Sequence, residues 1–200
     1  MNLYKMAMMQ IELDKHITNK HNLHNKDLYT KRKVALLVEL GELANELRFF
    51  KFWSEDQKPR FFRICHECRG GGVIDMGHHV IDCYMCKGVG HDRHVQPVLE
   101  EYVDGLHFIL SLIVQHPKYQ NITKLRKLFD NVSPLHYVSL EDQFMALYYE
   151  ISGNAYSQMS LVLRYYLGLG KKLLGFTDEE IEAHYKKKHS ENYDRQAKGY

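Results

Sequence analysis

Glu39, Glu42 and Glu46 recur at helical spacing in the proline-free run Val34 to Trp53, which reads as one long helix. At about 100° per residue they share an arc of about 60°. Leu36, Leu37, Leu40, Leu43 and Leu47 take up much of the remaining circumference. Carboxylates on a helix that is otherwise core-like are costly to bury unless a cation neutralises them. A lone acidic couple on a surface helix would be a solvated face. Here a second couple, Glu101 and Asp104, stands ahead of another apolar helix, Leu106 to Val114. Two helices that each offer carboxylates one turn apart predict a cage of oxygen ligands for hard cations. Mg²⁺ suits such a cage, because it keeps several waters and bridges to substrate phosphates.

The thiols form a second constellation. Cys65-x-x-Cys68 and Cys83-x-x-Cys86 are the only cysteines, and fourteen residues separate the pairs, a spacing typical of four-thiolate zinc sites. Each pair continues as CxxCxGxG, through Gly70 and Gly72 or Gly88 and Gly90. Such glycines permit positive-φ knuckles that aim backbone N–H groups at thiolates. Closed four-sulfur ligation predicts a structural rather than a catalytic Zn²⁺. Two disulfides are the alternative, disfavoured in a reducing compartment. His66, His78, His79, His91 and His94 could replace a ligand, but four sulfurs suffice. Val73 to Asp75 and Val80 to Asp82 read as two strands of a hairpin between the knuckles. So small a module depends on its metal for folding. Its Lys58, Arg60, Arg63, Arg69, Lys87 and Arg93 stand against Glu67, Asp75, Asp82 and Asp92, a balance that argues against nucleic acid and leaves room for a protein partner.

Other elements must position these groups. Leu3 to Ile17 carries an apolar stripe of helical period, with Gln10 and Asp14 one turn apart on it. Asp27 is placed to cap the second helix. Pro59 breaks the chain after Trp53, and Pro97 restarts helix, which His116-Pro117 closes. A short helical piece is expected at Leu125 to Phe129, then one helix from Ser139 through Leu167. Thr177 and Glu180 form a capping-box pair for the last helix. On it Lys188, Asn192 and Arg195 share a face, a cationic surface with an amide that suits a polyphosphate. Trp53 reads as core or as a wall against a ligand, and Lys51 as exposed or phosphate-facing. Asn154 and Tyr156 are further residues near which a ligand could lie.

Net charge is +2, with 44% hydrophobic and 26% charged residues, the profile of a soluble globular chain. No apolar run approaches the roughly 20 residues of a membrane span, so a cytoplasmic protein with no membrane partner is expected.

The acidic pairs resemble those of the all-α nucleotide pyrophosphatases, the superfamily that contains MazG and the dimeric dUTPases. The strings Glu39-Leu-Gly-Glu42-Leu-Ala-Asn-Glu46, Phe49-Phe-Lys-Phe-Trp53-Ser and Glu100-Glu101-Tyr-Val-Asp104-Gly-Leu-His-Phe-Ile-Leu110 resemble those of the dimeric dUTPases of Gram-positive bacteria and their phages. The closing string matches the family's K-x-x-x-N-x-x-R-Q-x-x-G-Y at each fixed position. The likeness covers roughly residues 1–56 and 97–200. Between them lies an insertion resembling half of the zinc region of DnaJ-type chaperones.

The resemblance implies an all-α fold, a helical bundle of the NTP pyrophosphatase type with a small inserted β-hairpin zinc module. Residues 1–57 and 96–200 would form the catalytic domain, and 58–95 the module. It further implies a homodimer that hydrolyses dUTP and dUDP to dUMP. Glu39, Glu42, Glu101 and Asp104 would hold two or more Mg²⁺ ions, with Glu42 activating water for attack at the β-phosphorus. Lys188, Asn192 and Arg195 would bind phosphate or sugar, and Gln10 and Trp53 the uracil. Asp14 is a weaker match. Rival readings are a MazG-like pyrophosphatase of other base preference, a non-catalytic interaction protein working through the zinc module, and a zinc-dependent regulator.

Overall fold

The computed structural model describes residues 1–24, 26–153 and 159–199. Seven helices occur among them: α1 (Leu3–Lys20), α2 (Tyr29–Leu47), α3 (Pro97–Gln115), α4 (Ile122–Asn131), α5 (Leu140–Ser152), α6 (Met159–Gly168) and α7 (Asp178–Ala197). A π-helical turn, Leu169–Leu173, follows α6. A 3₁₀ turn, Pro117–Tyr119, and four strands of two or three residues complete the list: β1 (Arg63–Ile64), β2 (Val73–Asp75), β3 (Val80–Asp82) and β4 (His91–Asp92). The fold is all-α, with a small hairpin module beside the cysteines.

The chain divides into two compact units, one of residues 1–42 with 101–200 and one of residues 43–100. In the first, α1 packs on α7 and α4, and α5 on α6. Met6, Leu13, Leu36, Leu40, Leu106, Ile109, Leu147, Val162, Leu163 and Ile181 form its dry core. Alignment of α3 with α6 depends on a reciprocal pair. Tyr102 donates to the Tyr166 carbonyl at 3.2 Å and Tyr166 to the Tyr102 carbonyl at 2.8 Å, with the rings stacked 4.6 Å apart. A Cβ at Gly105 would stand 2.2 Å from the Tyr166 hydroxyl. Only glycine allows that approach.

Local signals hold where they are strongest. Thr177 and Glu180 make a complete capping box on α7, Ser139 caps α5, and Asp27 accepts from the Tyr29 N–H at 2.9 Å. Two helix expectations need correction. The helix expected over Val34 to Trp53 is α2, which ends at Leu47, because Arg48 takes a φ of 61°. Its guanidinium turns onto the Asp56 carbonyl, at 2.8 and 2.6 Å. The helix expected from Ser139 through Leu167 is not continuous either: α5 ends at Ser152, with Gly153 extended at ψ 174°. Neither stop has a proline to announce it.

In the second unit β2 pairs antiparallel with β3, as the hairpin reading expects, in the register Ile74↔Ile81. The β1–β4 pair, Ile64↔His91, had no alternation long enough to reveal it.

Candidate active site

α2 and α3 bring carboxylates together. Ligand oxygens of Glu39, Glu42 and Glu101 lie within 4.8 Å of one another. Burial and the negative charge of Asp104 and Glu42 push the Glu39 carboxyl up to about 7. Burial, then Asp104, Glu42 and Glu39, push Glu101 up to about 7 as well. Crowded carboxyls that resist ionisation favour a cation, which removes both penalties at once. The donor set is all oxygen, and it fits a hard divalent ion.

Asp104 stands apart from that cluster of three. Its Oδ2 accepts from Lys188 Nζ at 2.5 Å, both side chains being largely buried. Glu46, on the same predicted arc, instead faces Arg60 at 3.6 Å. The arc therefore splits, with its first two members in the cluster and its third in an ion pair.

A cavity of about 450 Å³ opens beside the cluster, lined among others by Gln10, Glu39, Asp104, Lys188, Asn192 and Arg195. Helices α1, α2, α3 and α7 thus collect six of the residues singled out above around one space. Its lining includes Lys188 and Arg195 alongside Glu39 and Asp104, cationic and acidic at once, a suitable setting for a polyphosphate with its counter-ions. The lining also includes a polar network centred on Asp14 that spacing did not announce. Asp14 accepts from Gln10 at 2.8 Å, Ser111 at 2.5 Å and Gln115 at 3.2 Å, and Arg32 lies 3.6 Å away. Its members sit on α1, α2 and α3, so no window of sequence shows them together.

Trp53 belongs to the second unit. It is 66% exposed, with its ring edge-on to Phe50 and Phe52, so the core alternative for it fails. Lys51 lies 5.6 Å over the Phe50 ring. Asn154 and Tyr156 are outside the described residues.

The cysteines make a second, closed cluster, all four sulfurs within 4.8 Å. None is in a disulfide. The two knuckles mirror each other. Gly72 N–H donates to Cys68 Sγ and Gly90 N–H to Cys86 Sγ, each at 3.2 Å. A Cβ on Gly72 would meet the Gly88 carbonyl at 2.3 Å, and one on Gly90 the Gly70 carbonyl at 2.4 Å. The glycines are thus needed twice, for positive φ and for the approach of knuckle to knuckle. Burial opposes ionisation of Cys68, but the N–H groups of Gly72 and Gly70 and the neighbouring thiols bring it down to about 7. A four-thiolate zinc ion fits this donor set.

No helix among the described residues is long and apolar enough to cross a membrane. No curated protein matches the chain. A family model described as dUTPase matches residues 2–93 and 86–200, nearly the whole chain, and the observed all-α fold agrees with it. The chain belongs to the all-α dimeric dUTPase family and is a nucleotide pyrophosphohydrolase of the dUTP diphosphatase type.

Proposed function

We propose that this enzyme hydrolyses dUTP, and dUDP, to dUMP in a Mg²⁺-dependent reaction that limits uracil entry into DNA. The observation that carries this reading is the cluster of Glu39, Glu42 and Glu101 beside a cavity bordered by Lys188, Asn192 and Arg195. Glu39, Glu42, Glu101 and Asp104 would hold the Mg²⁺ ions. Divalent ions there supply charge neutralisation for phosphate oxygens and a lowered pKa for the attacking water. Glu42, which is exposed, would orient that water and take its proton, the role the family resemblance gives to the second glutamate of the pair. Lys188 would leave Asp104 for the leaving phosphate, joined by Arg195, while Asn192 holds sugar or phosphate. Gln10 would meet the uracil, and Trp53 would cover it.

Residues 1–57 and 96–200 form the catalytic domain in this reading, and 58–95 an inserted module held by a structural Zn²⁺. The enzyme works as a cytoplasmic homodimer. A protein partner for the module is supported by the exposed Ile64, Val80 and Tyr84.

Steady-state hydrolysis of the four canonical dNTPs, dUTP and dUDP, with and without Mg²⁺, tests the reading. Mg²⁺-dependent turnover of dUTP and dUDP above the others supports it. Preference for another base moves the enzyme toward the MazG-like alternative. Replacing residues 58–95 by a short linker shows whether the module matters for turnover.

A further inference from the structure

The amide of Gln10 is held in one orientation. It is nearly buried, lines the cavity together with Asp14 and His107, and lies between two sets of partners. On one side its Nε2 is 2.8 Å from Asp14 Oδ1. That carboxylate already takes Ser111 and Gln115 as donors and faces Arg32. A carboxylate in such company only accepts, so it demands the NH₂ end of the amide.

The Gln10 oxygen must then face the other way. There it lies 2.8 Å from His107 Nδ1 and 3.0 Å from the Tyr185 hydroxyl. An amide oxygen cannot donate, so His107 carries its proton on Nδ1. Its Nε2 is then a bare acceptor, and that atom is buried without a hydrogen-bond partner. Burial, with His189 and Lys188 nearby, holds the His107 pKa down to about 3, so the ring is neutral. The ring is also fixed in place by stacking on Tyr185, with centroids 3.9 Å apart.

With its oxygen turned to His107 and to the Tyr185 hydroxyl, whose one proton is shared with the Met6 carbonyl 3.1 Å away, and one N–H given to Asp14, Gln10 has only its second N–H to offer the cavity. We infer that Asp14, His107 and Tyr185 are positioning residues that fix Gln10 as a hydrogen-bond donor, so that the site accepts a pyrimidine with a carbonyl at C4 and rejects one with an amino group there. This selects uracil over cytosine by polarity rather than by size, and it rests on the proposed reading of Gln10 as the residue that meets the base. An amino group at C4 would set N–H against N–H in a desolvated site, the kind of mismatch that costs most.

Asp14→Asn tests the inference. A carboxamide at this position can turn its NH₂ to the Gln10 amide and its carbonyl to Arg32, Ser111 and Gln115. The Gln10 amide then turns over, His107 moves its proton to Nε2, and an oxygen faces the cavity. Two measurements follow it. The first is calorimetric binding of the α,β-imido analogues of dUTP and dCTP. The wild type should prefer the uracil analogue by about a hundredfold or more, and Asp14→Asn should cut that preference at least about tenfold. The second is ¹⁵N NMR of the histidine rings, where His107 should show the Nδ1–H tautomer in the wild type and Nε2–H in the variant.

Equal binding of both analogues by the wild type, an unchanged preference in Asp14→Asn, or an Nε2–H tautomer in the wild type overturns the inference. The wild-type tautomer decides even if the variant does not fold. Absence of dUTP hydrolysis by the wild type would instead count against the proposed function, because neither readout depends on turnover.

Discussion

The carboxylate cluster and the cysteine cluster are both sets of metal-ligating side chains, and they are built in opposite ways. The cysteine cluster is local. Two CxxCxGxG knuckles close on each other, and N–H groups of their own glycines support the thiols. The carboxylate cluster is distributed, with ligands from α2 and α3 and its neighbouring cations from α7. Left to themselves the carboxyls repel, and two of them are pushed up to about 7. The first arrangement suits a closed structural ion. The second leaves sides open toward a cavity, as a site that must admit substrate requires.

Removing the metal from each cluster should separate them most sharply. Stripping zinc, or Cys83→Ser, is expected to unfold residues 58–95, since four-thiolate ligation in small modules amounts to about 10–16 kcal/mol of folding energy. Hydrogen exchange should show protection lost there and kept in α1 and α7. If the module stays protected without zinc, the contrast collapses. Chelating Mg²⁺ should abolish turnover and leave hydrogen exchange of the core helices unchanged.

Glu42→Gln comes next. As general base it should account for about a 10²–10⁴-fold fall in kcat, with zinc content unaltered. A variant that retains wild-type kcat would remove Glu42 from the mechanism.

The pH response should sharpen the electrostatic half of the comparison. Glu39 and Glu101 titrate near 7 in the folded state, above their ordinary range, so the folded state binds more protons than the unfolded one between roughly pH 4.5 and 7. Their contribution to stability is therefore full below about pH 4.5 and lost as pH rises through about 7. Melting of the metal-free protein should show this fall, and Mg²⁺ should offset it above pH 7. Mg²⁺ affinity should drop about tenfold for each of these carboxyls per pH unit below 7. A flat Mg²⁺ titration from pH 6 to 8 contradicts the raised carboxyls.

The smallest effect concerns α7, which carries Lys188, Asn192 and Arg195. Thr177→Ala removes its capping-box hydroxyl and should cost about 1 kcal/mol, seen as a shift of the urea midpoint with little change in kcat. No change would mean that the α7 cap does not limit stability.

Readability follows the same division. The zinc knuckles, the β2–β3 hairpin, the α7 capping box and the shared face of Lys188, Asn192 and Arg195 each lie within a few turns of chain, and periodicity or spacing exposes them. The acidic pairs were visible for the same reason. The ends of α2 and α5 were not, because Arg48 leaves the helix to reach the Asp56 carbonyl and Gly153 stops α5 without a proline. The splitting of the acidic arc was equally hidden: Glu46 goes to Arg60, and Asp104 is taken up by Lys188, distant in sequence.

Sequence alone determined the chemistry on offer: carboxylates one turn apart, paired thiols with glycines to bend around them, and a basic last helix. These are short-range matters of helical period and backbone freedom. Tertiary structure decided which carboxylates gather, which cation Asp104 holds, and which way the Gln10 amide faces. Those outcomes depend on burial and on hydrogen-bond partners brought in from other helices, and only the packed chain sets them.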